Sequence, residues 1–82
     1  MKKMIIPFAL LFLISCGEKK ISASDVPQSV VTTFNTKYPG ASDIEWVKEK
    51  EDGKQVYEAR FKFNNDKVEA EFDPAGNFIK EE

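Results

Sequence analysis

The strongest constraint on the fold of this chain is a change of hydrophobic period near residue 42. Before that point, apolar residues recur every four positions, at Val26, Val30, Phe34 and Tyr38. This spacing places side chains on one face of a helix. After that point, apolar and polar residues alternate along four segments, 43–51, 55–63, 67–72 and 77–81, which is the pattern of half-buried strands. We therefore predict an α+β domain with one N-terminal helix on one face of a four-stranded antiparallel meander sheet.

The predicted helix has recognisable ends. Ser24 or Asp25 can cap its start, and Pro27 suits its first turn. Pro39 followed by Gly40 ends it. Its interior is rich in valine and threonine, which are weak helix formers, so the helix needs the sheet as a packing partner.

Turn residues separate the predicted strands. Asp52 and Gly53 are a strong two-residue hairpin signal, and Asn65 with Asp66 is predicted to serve the next hairpin. The segment 73–77, DPAGN, fits a type I turn followed by a left-handed glycine at position 76. These loop lengths predict that Ile44 pairs with Phe61, Trp46 with Ala59, Phe63 with Val68, Phe61 with Ala70, Ala59 with Phe72, and Phe72 with Phe78.

The predicted pairs agree on one apolar face, and a slip of one residue would destroy that agreement. Its members are Ile44, Trp46, Tyr57, Ala59, Phe61, Phe63, Val68, Ala70, Phe72 and Phe78. Trp46 is expected in the core, and an exposed edge that anchors a partner is the alternative. Tyr38 and Tyr57 are expected to be core aromatics with hydroxyl groups at the rim.

The opposite face is predicted to carry charged rows exposed to solvent. Asp43, Lys62 and Glu69 form one row, and Glu45, Arg60 and Glu71 form another. Each row alternates acid, base and acid, which favours cross-strand pairing. If the protein binds a partner, we expect the contact on this face, at Glu45, Arg60, Lys62, Glu69 and Glu71.

Composition argues against several classes of function. The 82 residues include no histidine, and the formal charge is −2, with acids and bases interspersed. No serine has a histidine partner, and the four glycines are too scattered for a phosphate loop. We therefore expect no enzyme, no cofactor and no nucleic-acid partner. We also expect no metal site, because the turn explains Asp73 and Gly76, and we expect a monomer.

The first 15 residues have the layout of a secretory signal peptide. Lys2 and Lys3 precede an apolar run, 4–14, of 11 residues. That run is too short to span a bilayer, which takes about 20 helical residues, but it suits a signal peptide. The only cysteine follows at position 16 and cannot form an internal disulfide.

Leu13-Ile14-Ser15-Cys16 resembles the lipobox of bacterial lipoproteins. The resemblance implies cleavage before Cys16, acyl chains such as palmitate on that residue, and membrane attachment through the lipid. Gly17 replaces the aspartate that marks inner-membrane retention, so we expect the outer membrane of the cell envelope, facing the periplasm. Residues 16–24 are mostly small, polar or charged and are predicted to be the lipidated cysteine and a flexible tether.

Residues 25–82 resemble the PepSY-like family, which is also described as β-lactamase-inhibitor-like. The matching features are Pro27, Tyr38-Pro39-Gly40, Trp46, Tyr57, and Asp73 with Gly76. The resemblance implies the same helix-on-sheet fold. It also implies binding to an enzyme, since a related inhibitor joins two such units into a concave surface, whereas this chain has one. An analogy with protease propeptides implies restraint of a peptidase.

We therefore expect a lipid-anchored binding module of the envelope, inhibitory or regulatory toward an envelope protein or peptidase. Two alternatives remain open from the sequence. One is a structural or scaffold lipoprotein without a specific ligand, and the other is a sensor of a small ligand.

Overall fold

A computed structural model describes residues 17–82 as one helix on an antiparallel sheet of five strands. The strands are β1 (Lys19–Ile21), β2 (Ser42–Glu51), β3 (Lys54–Phe63), β4 (Asp66–Phe72) and β5 (Phe78–Glu81), and the helix α1 spans Gln28–Lys37. The strands lie in chain order across the sheet. The α+β class and the antiparallel meander are confirmed, but the prediction of four strands was wrong. The predicted signal peptide, 1–15, and Cys16 lie outside the described residues.

The fifth strand lies within the segment predicted to be a tether. β1 pairs antiparallel with β2, with Lys20 opposite Val47 and Ile21 opposite Trp46. Ile21 is half-buried against the hydrophobic core. A strand of three residues with one apolar side chain is too short for alternation to reveal, so the sequence pattern missed it.

The helix begins later than the predicted caps. Ser24 and Asp25 belong to a short 3₁₀ turn, and the N-cap is Pro27, which has no side-chain capping bond. The carbonyl of Pro27 accepts hydrogen bonds from the backbone N–H groups of Val30 and Val31, at 3.0 and 3.2 Å. The backbone carbonyl of proline can serve this position even though proline lacks an N–H group.

The core lies between α1 and the sheet. All four residues of the predicted helical stripe are buried, so this prediction is confirmed: Val26, Val30, Phe34 and Tyr38. The ring centroid of Phe61 lies 4.9 Å from that of Phe34 and 4.7 Å from that of Tyr38. Small side chains at Ala59 and Ala70, both fully buried, allow close packing at the middle of the sheet.

The two hairpins that flank β3 differ in how well the sequence predicted them. Asp52 and Gly53 both have positive φ, 53° and 78°, and form the expected turn. The next turn, however, consists of Asn64 and Asn65, with φ of 54° and 70°. Asparagine tolerates this left-handed conformation better than most residues, which explains why the turn uses both asparagines and leaves Asp66 to the strand.

The displaced turn changes the β3–β4 register by two residues. Ala59 pairs with Ala70, Phe61 with Val68 and Tyr57 with Phe72, so the predicted pairs across these strands were wrong. The predicted pairs of Trp46 with Ala59 and Phe72 with Phe78 are confirmed. A shift of two residues preserves the face on which each side chain lies. The prediction of the face was therefore unaffected by the error in register.

Two members of the predicted apolar face are exposed. Ile44 is 42% exposed and Phe78 is 38% exposed. The β2–β3 ladder is irregular between Ser42 and Glu45, where Asp43 has a φ of 52°, and this bulge interrupts the alternation at Ile44. Phe78 lies on the edge strand, where its ring centroid is 5.9 Å from that of Phe72 and 4.3 Å from Nζ of Lys37.

Candidate functional site

The candidate partner-binding residues lie on the face of the sheet opposite α1, which we call the open face. Strand pairing places Glu45, Arg60 and Glu69 side by side across β2, β3 and β4. The predicted row of Glu45, Arg60 and Glu71 was wrong in its third member because of the changed register. Glu71 pairs instead with Glu58.

Arg60 is the centre of the charge network on this face. Its Nη2 contacts the carboxylate of Glu18 and lies 3.3 Å from Oε1 of Glu58. Its Nη1 lies 3.8 Å from Oε2 of Glu45, and its Nε lies 3.9 Å from Oε2 of Glu69. One cation therefore contacts four carboxylates, an arrangement that the five N–H donors of a guanidinium can support.

The middle of the open face is less solvated than the sequence predicted. Glu58 is 4% exposed and Glu71 is 5% exposed. Burial raises the pKa of Glu58 to about 7, and Glu49 adds to this effect whereas Arg60 opposes it. Burial likewise raises the pKa of Glu69 and that of Glu71 to about 7. The prediction of a fully solvated face was therefore wrong, because alternation assigns a side chain to a face but does not measure its burial.

One end of the open face forms a shallow groove. Its volume is about 300 Å³, and its lining residues are Asp43, Glu45, Arg60, Phe61, Lys62, Lys67, Val68 and Glu69. Lys62 pairs in register with Ser42 and Lys67, and its Nζ lies 4.0 Å from Oδ2 of Asp43. The predicted row of Asp43, Lys62 and Glu69 was therefore wrong in register. The groove presents charges of both signs on adjacent strands, which suits recognition of a polypeptide segment.

The structure brings most of the predicted face residues together. Glu45, Arg60, Lys62 and Glu69 all line the groove, whereas Glu71 is buried beside Glu58, away from the groove lining. The sixth predicted site residue, Cys16, lies outside the described residues.

Sequence reasoning missed three residues of this face. Glu18 was assigned to the tether, and nothing in the sequence around Glu58 indicated that its side chain is buried. Lys67 lines the groove because the observed register of β3 and β4 places it opposite Lys62. Only the asparagine pair at 64–65 could have revealed that register.

Three other residues that could be taken for functional ones have structural roles. Trp46 is 6% exposed and packs against Phe34, with ring centroids 5.2 Å apart, which confirms its expected place in the core. The hydroxyl of Tyr38 donates a hydrogen bond of 2.5 Å to Oε1 of Glu81. Oδ1 of Asp73 accepts hydrogen bonds from the backbone N–H groups of Ala75 and Asn77, so its carboxylate stabilises the turn.

Within 17–82, the helices are too short and too polar to cross a bilayer. This finding concerns only that part of the chain.

Comparison with known proteins places the domain in a family. A family model described as "PepSY: Peptidase propeptide and YPEB domain" matches residues 27–76. These residues run from the N-cap of α1 to the glycine of the last turn and include the whole of β2, β3 and β4. No curated protein and no solved structure matches the chain. The match covers more than half of the 82 residues, and the chain belongs to the PepSY family.

Proposed function

We propose that this protein is a binding module, anchored in a bacterial cell envelope by lipid on Cys16, that docks on an envelope protein through the groove of the open face. The PepSY domain is associated with the binding roles of peptidase propeptides and inhibitors, and it is generally non-catalytic. An inhibitory or regulatory role toward an envelope peptidase follows most directly from that association.

The observation that carries the proposal is the groove at the Arg60 end of the sheet. Lys62 and Lys67 lie opposite one another on adjacent strands, and both are exposed. Phe61 and Val68 also border the groove, but their side chains belong to the apolar face under α1. Two exposed cations on adjacent strands offer a partner charge complementarity, which sets its orientation.

The experiment is a pull-down from detergent-solubilised envelope with the membrane-anchored protein as bait. The test variant carries Lys62→Glu with Lys67→Glu, and the control carries Lys48→Glu. Lys48 is exposed in β2 but lies on the other face of the sheet, opposite Tyr57. We expect the double variant to lose a stoichiometric partner, because reversing charges at a contact weakens binding by about tenfold or more. The control should retain the partner.

Arg60→Glu is a poorer test variant. It would bring a fifth carboxylate into contact with the four that Arg60 now balances, so it would disturb the fold together with the surface. A folded double variant that keeps the partner would contradict the groove as the docking site. Absence of any stoichiometric partner would favour a scaffold lipoprotein instead.

The lipid anchor is tested separately. The motivation is the order of charged, apolar and lipobox segments before Cys16. We expect intact-mass spectrometry of the membrane fraction to show a chain that begins at Cys16 and carries acyl chains. A chain that retains Met1, or one cleaved with a free thiol at Cys16, would contradict the anchor and leave the binding proposal standing.

A further inference from the structure

A second group of carboxylates lies on the open face, away from Arg60. Glu49, Glu51 and Glu71 each place a carboxylate oxygen within 4.8 Å of the other two, and we call them the glutamate trio. Glu49 and Glu51 alternate along β2 and so share a face, while Glu71 comes from β4. Between these strands, β3 carries Val56 opposite Glu49, a short side chain over which the longer glutamates meet.

A second observation, which concerns Glu71, indicates that the trio lacks a bound partner among the described residues. Its side chain is buried, with the residue only 5% exposed, and its Oε1 has no hydrogen-bond partner. A buried acceptor without a partner loses the free energy of hydration and gains nothing in exchange. The unpartnered carboxylate belongs to the same three residues whose oxygens converge.

In the described part of the chain, the trio makes no direct ion pair with the nearby lysines. Among residues 17–82, no lysine or arginine nitrogen lies within 4.0 Å of a carboxylate oxygen of the trio. Lys80 faces Glu71 across β4 and β5, but its Nζ lies 3.0 Å from Oε2 of Glu82. Lys80 lowers the pKa of Glu71, yet burial, the charge of Glu51 and a carboxyl–carboxylate hydrogen bond with Glu51 outweigh it and raise that pKa to about 7.

Two neighbouring acids form ion pairs with an arginine, whereas the trio does not. Glu18 and Glu58, which also converge with Glu49, are both in contact with the guanidinium of Arg60. Among residues 17–82, the trio therefore differs from these acids in having no lysine or arginine nitrogen within 4.0 Å, although Lys54 lies opposite Glu51 and Lys80 opposite Glu71 in the strand register.

We propose that Glu49, Glu51 and Glu71 form a binding site for a divalent cation of the calcium type. Calcium binds six to eight oxygen ligands at about 2.3–2.6 Å, so oxygens on opposite sides of one ion lie about 5 Å apart. The trio's separation of 4.8 Å or less fits that span. Magnesium requires shorter bonds of about 2.0–2.1 Å and near-ideal octahedral geometry, which three glutamates from two strands fit less well.

The site has the character of a weak, extracellular type of calcium site. Glu49 and Glu51 are half-buried, which leaves room for water to complete the coordination shell. Sites of this kind bind with dissociation constants of about 10⁻⁴–10⁻³ M. Binding would neutralise charge that the strands now hold close together, so it would stabilise the fold by mass action.

The test is a calorimetric titration of the full-length chain, in non-ionic detergent at pH 8, with calcium chloride. Magnesium chloride and sodium chloride at matched ionic strength are run in parallel. We expect one calcium ion per chain, weaker binding of magnesium and no saturable binding of sodium. Glu71→Gln should weaken calcium binding about tenfold or more, because it removes the negative charge of the most buried ligand.

Two further variants make the result decisive. Asp66→Asn removes the same charge at an exposed position outside the trio and should change the affinity by less than about twofold. Glu51→Gln alters a ligand that is only half-buried, so it reports on the site even where Glu71→Gln disturbs folding. Absence of saturable calcium binding by the wild-type chain, or equal binding by the wild type and a folded glutamine variant, would overturn the proposal.

Discussion

Gly76 lies against the first turn of the helix at Ser29, so closely that a Cβ atom at position 76 would lie 2.6 Å from the backbone carbonyl oxygen of Ser29. The hydroxyl of Ser29 donates a hydrogen bond of 3.1 Å to the carbonyl oxygen of Pro74 in the same turn. Gly76 also has a φ of +91°, which disfavours every residue with a side chain. The turn before β5 therefore packs directly on the first turn of α1 and is hydrogen-bonded to it.

Gly76→Ala should be among the most damaging single changes in the domain. We expect a loss of about 2–4 kcal/mol in the free energy of unfolding, from the left-handed φ together with the clash at Ser29. Urea unfolding followed by Trp46 fluorescence measures it. Gly53→Ala is the matched control, since Gly53 has a φ of +78° but open space around it, and it should cost only about 1–2 kcal/mol. Equal losses would show that the contact with Ser29 is unimportant.

Phe61→Ala should destabilise the domain far more than Ile44→Ala. Phe61 is 4% exposed and packs on Phe34 and Tyr38, and truncating a buried phenylalanine costs about 3–5 kcal/mol. Ile44 is 42% exposed because of the bulge at Asp43, and a change at such a surface position costs about 0.5 kcal/mol or less. Thermal unfolding monitored by circular dichroism compares the two variants. Similar melting temperatures would contradict the assigned faces of β2 and β3.

The position of the β3–β4 turn can be tested by placing glycine at two adjacent residues. Asn65 has a φ of 70° in the turn, so Asn65→Gly should raise the free energy of unfolding by a few tenths to about 1 kcal/mol. Asp66 begins β4 opposite Phe63, where glycine should lower that free energy by about 0.5–1 kcal/mol. Chemical denaturation of both variants decides the matter. Stabilisation by Asp66→Gly would favour the register that the sequence alone suggested.

The fold was largely predictable because hydrophobic periodicity records which face of an element is buried. Trp46, Phe61 and Phe72 were assigned to the correct face even though the register across β4 was wrong, since a shift of two residues leaves every face unchanged. The register itself depends on which residues adopt positive φ. The sequence offered two adjacent candidate pairs, 64–65 and 65–66, between which periodicity cannot discriminate.

The candidate site was less predictable for a physical reason. The sequence correctly placed Arg60 among acids. The burial of Glu58, however, depends on the way in which large side chains from several strands pack around it. That packing is a property of the assembled sheet. The bulge at Asp43 and the short strand β1, which bring the groove and Glu18 into position, likewise leave no periodic signal in the sequence.

The buried acids predict an unusual dependence of stability on pH. Burial raises the pKa of Glu58 from 4.5 to about 7 in the folded state, whereas the unfolded chain keeps the ordinary value. Glu69 and Glu71 shift in the same direction. Between about pH 4.5 and 7 the folded state therefore binds protons that the unfolded state does not, so stability rises as the pH falls through this window. Most carboxylates in folded proteins have the opposite effect, because ion pairs and hydrogen bonds lower their pKa.

We expect the free energy of unfolding to be higher at pH 5 than at pH 8, with Glu58 contributing on the order of 1–3 kcal/mol of the difference. Urea unfolding across this range, with a chelator present to remove divalent cations, measures it. Glu58→Gln keeps the shape of the side chain but cannot ionise, so it should raise stability at pH 8 and flatten the pH profile. Asp66→Asn, at an exposed position, should leave the slope unchanged. A wild-type profile that is flat, or one in which stability falls from pH 8 to pH 5, would show that Glu58 is solvated and that the middle of the open face is wet.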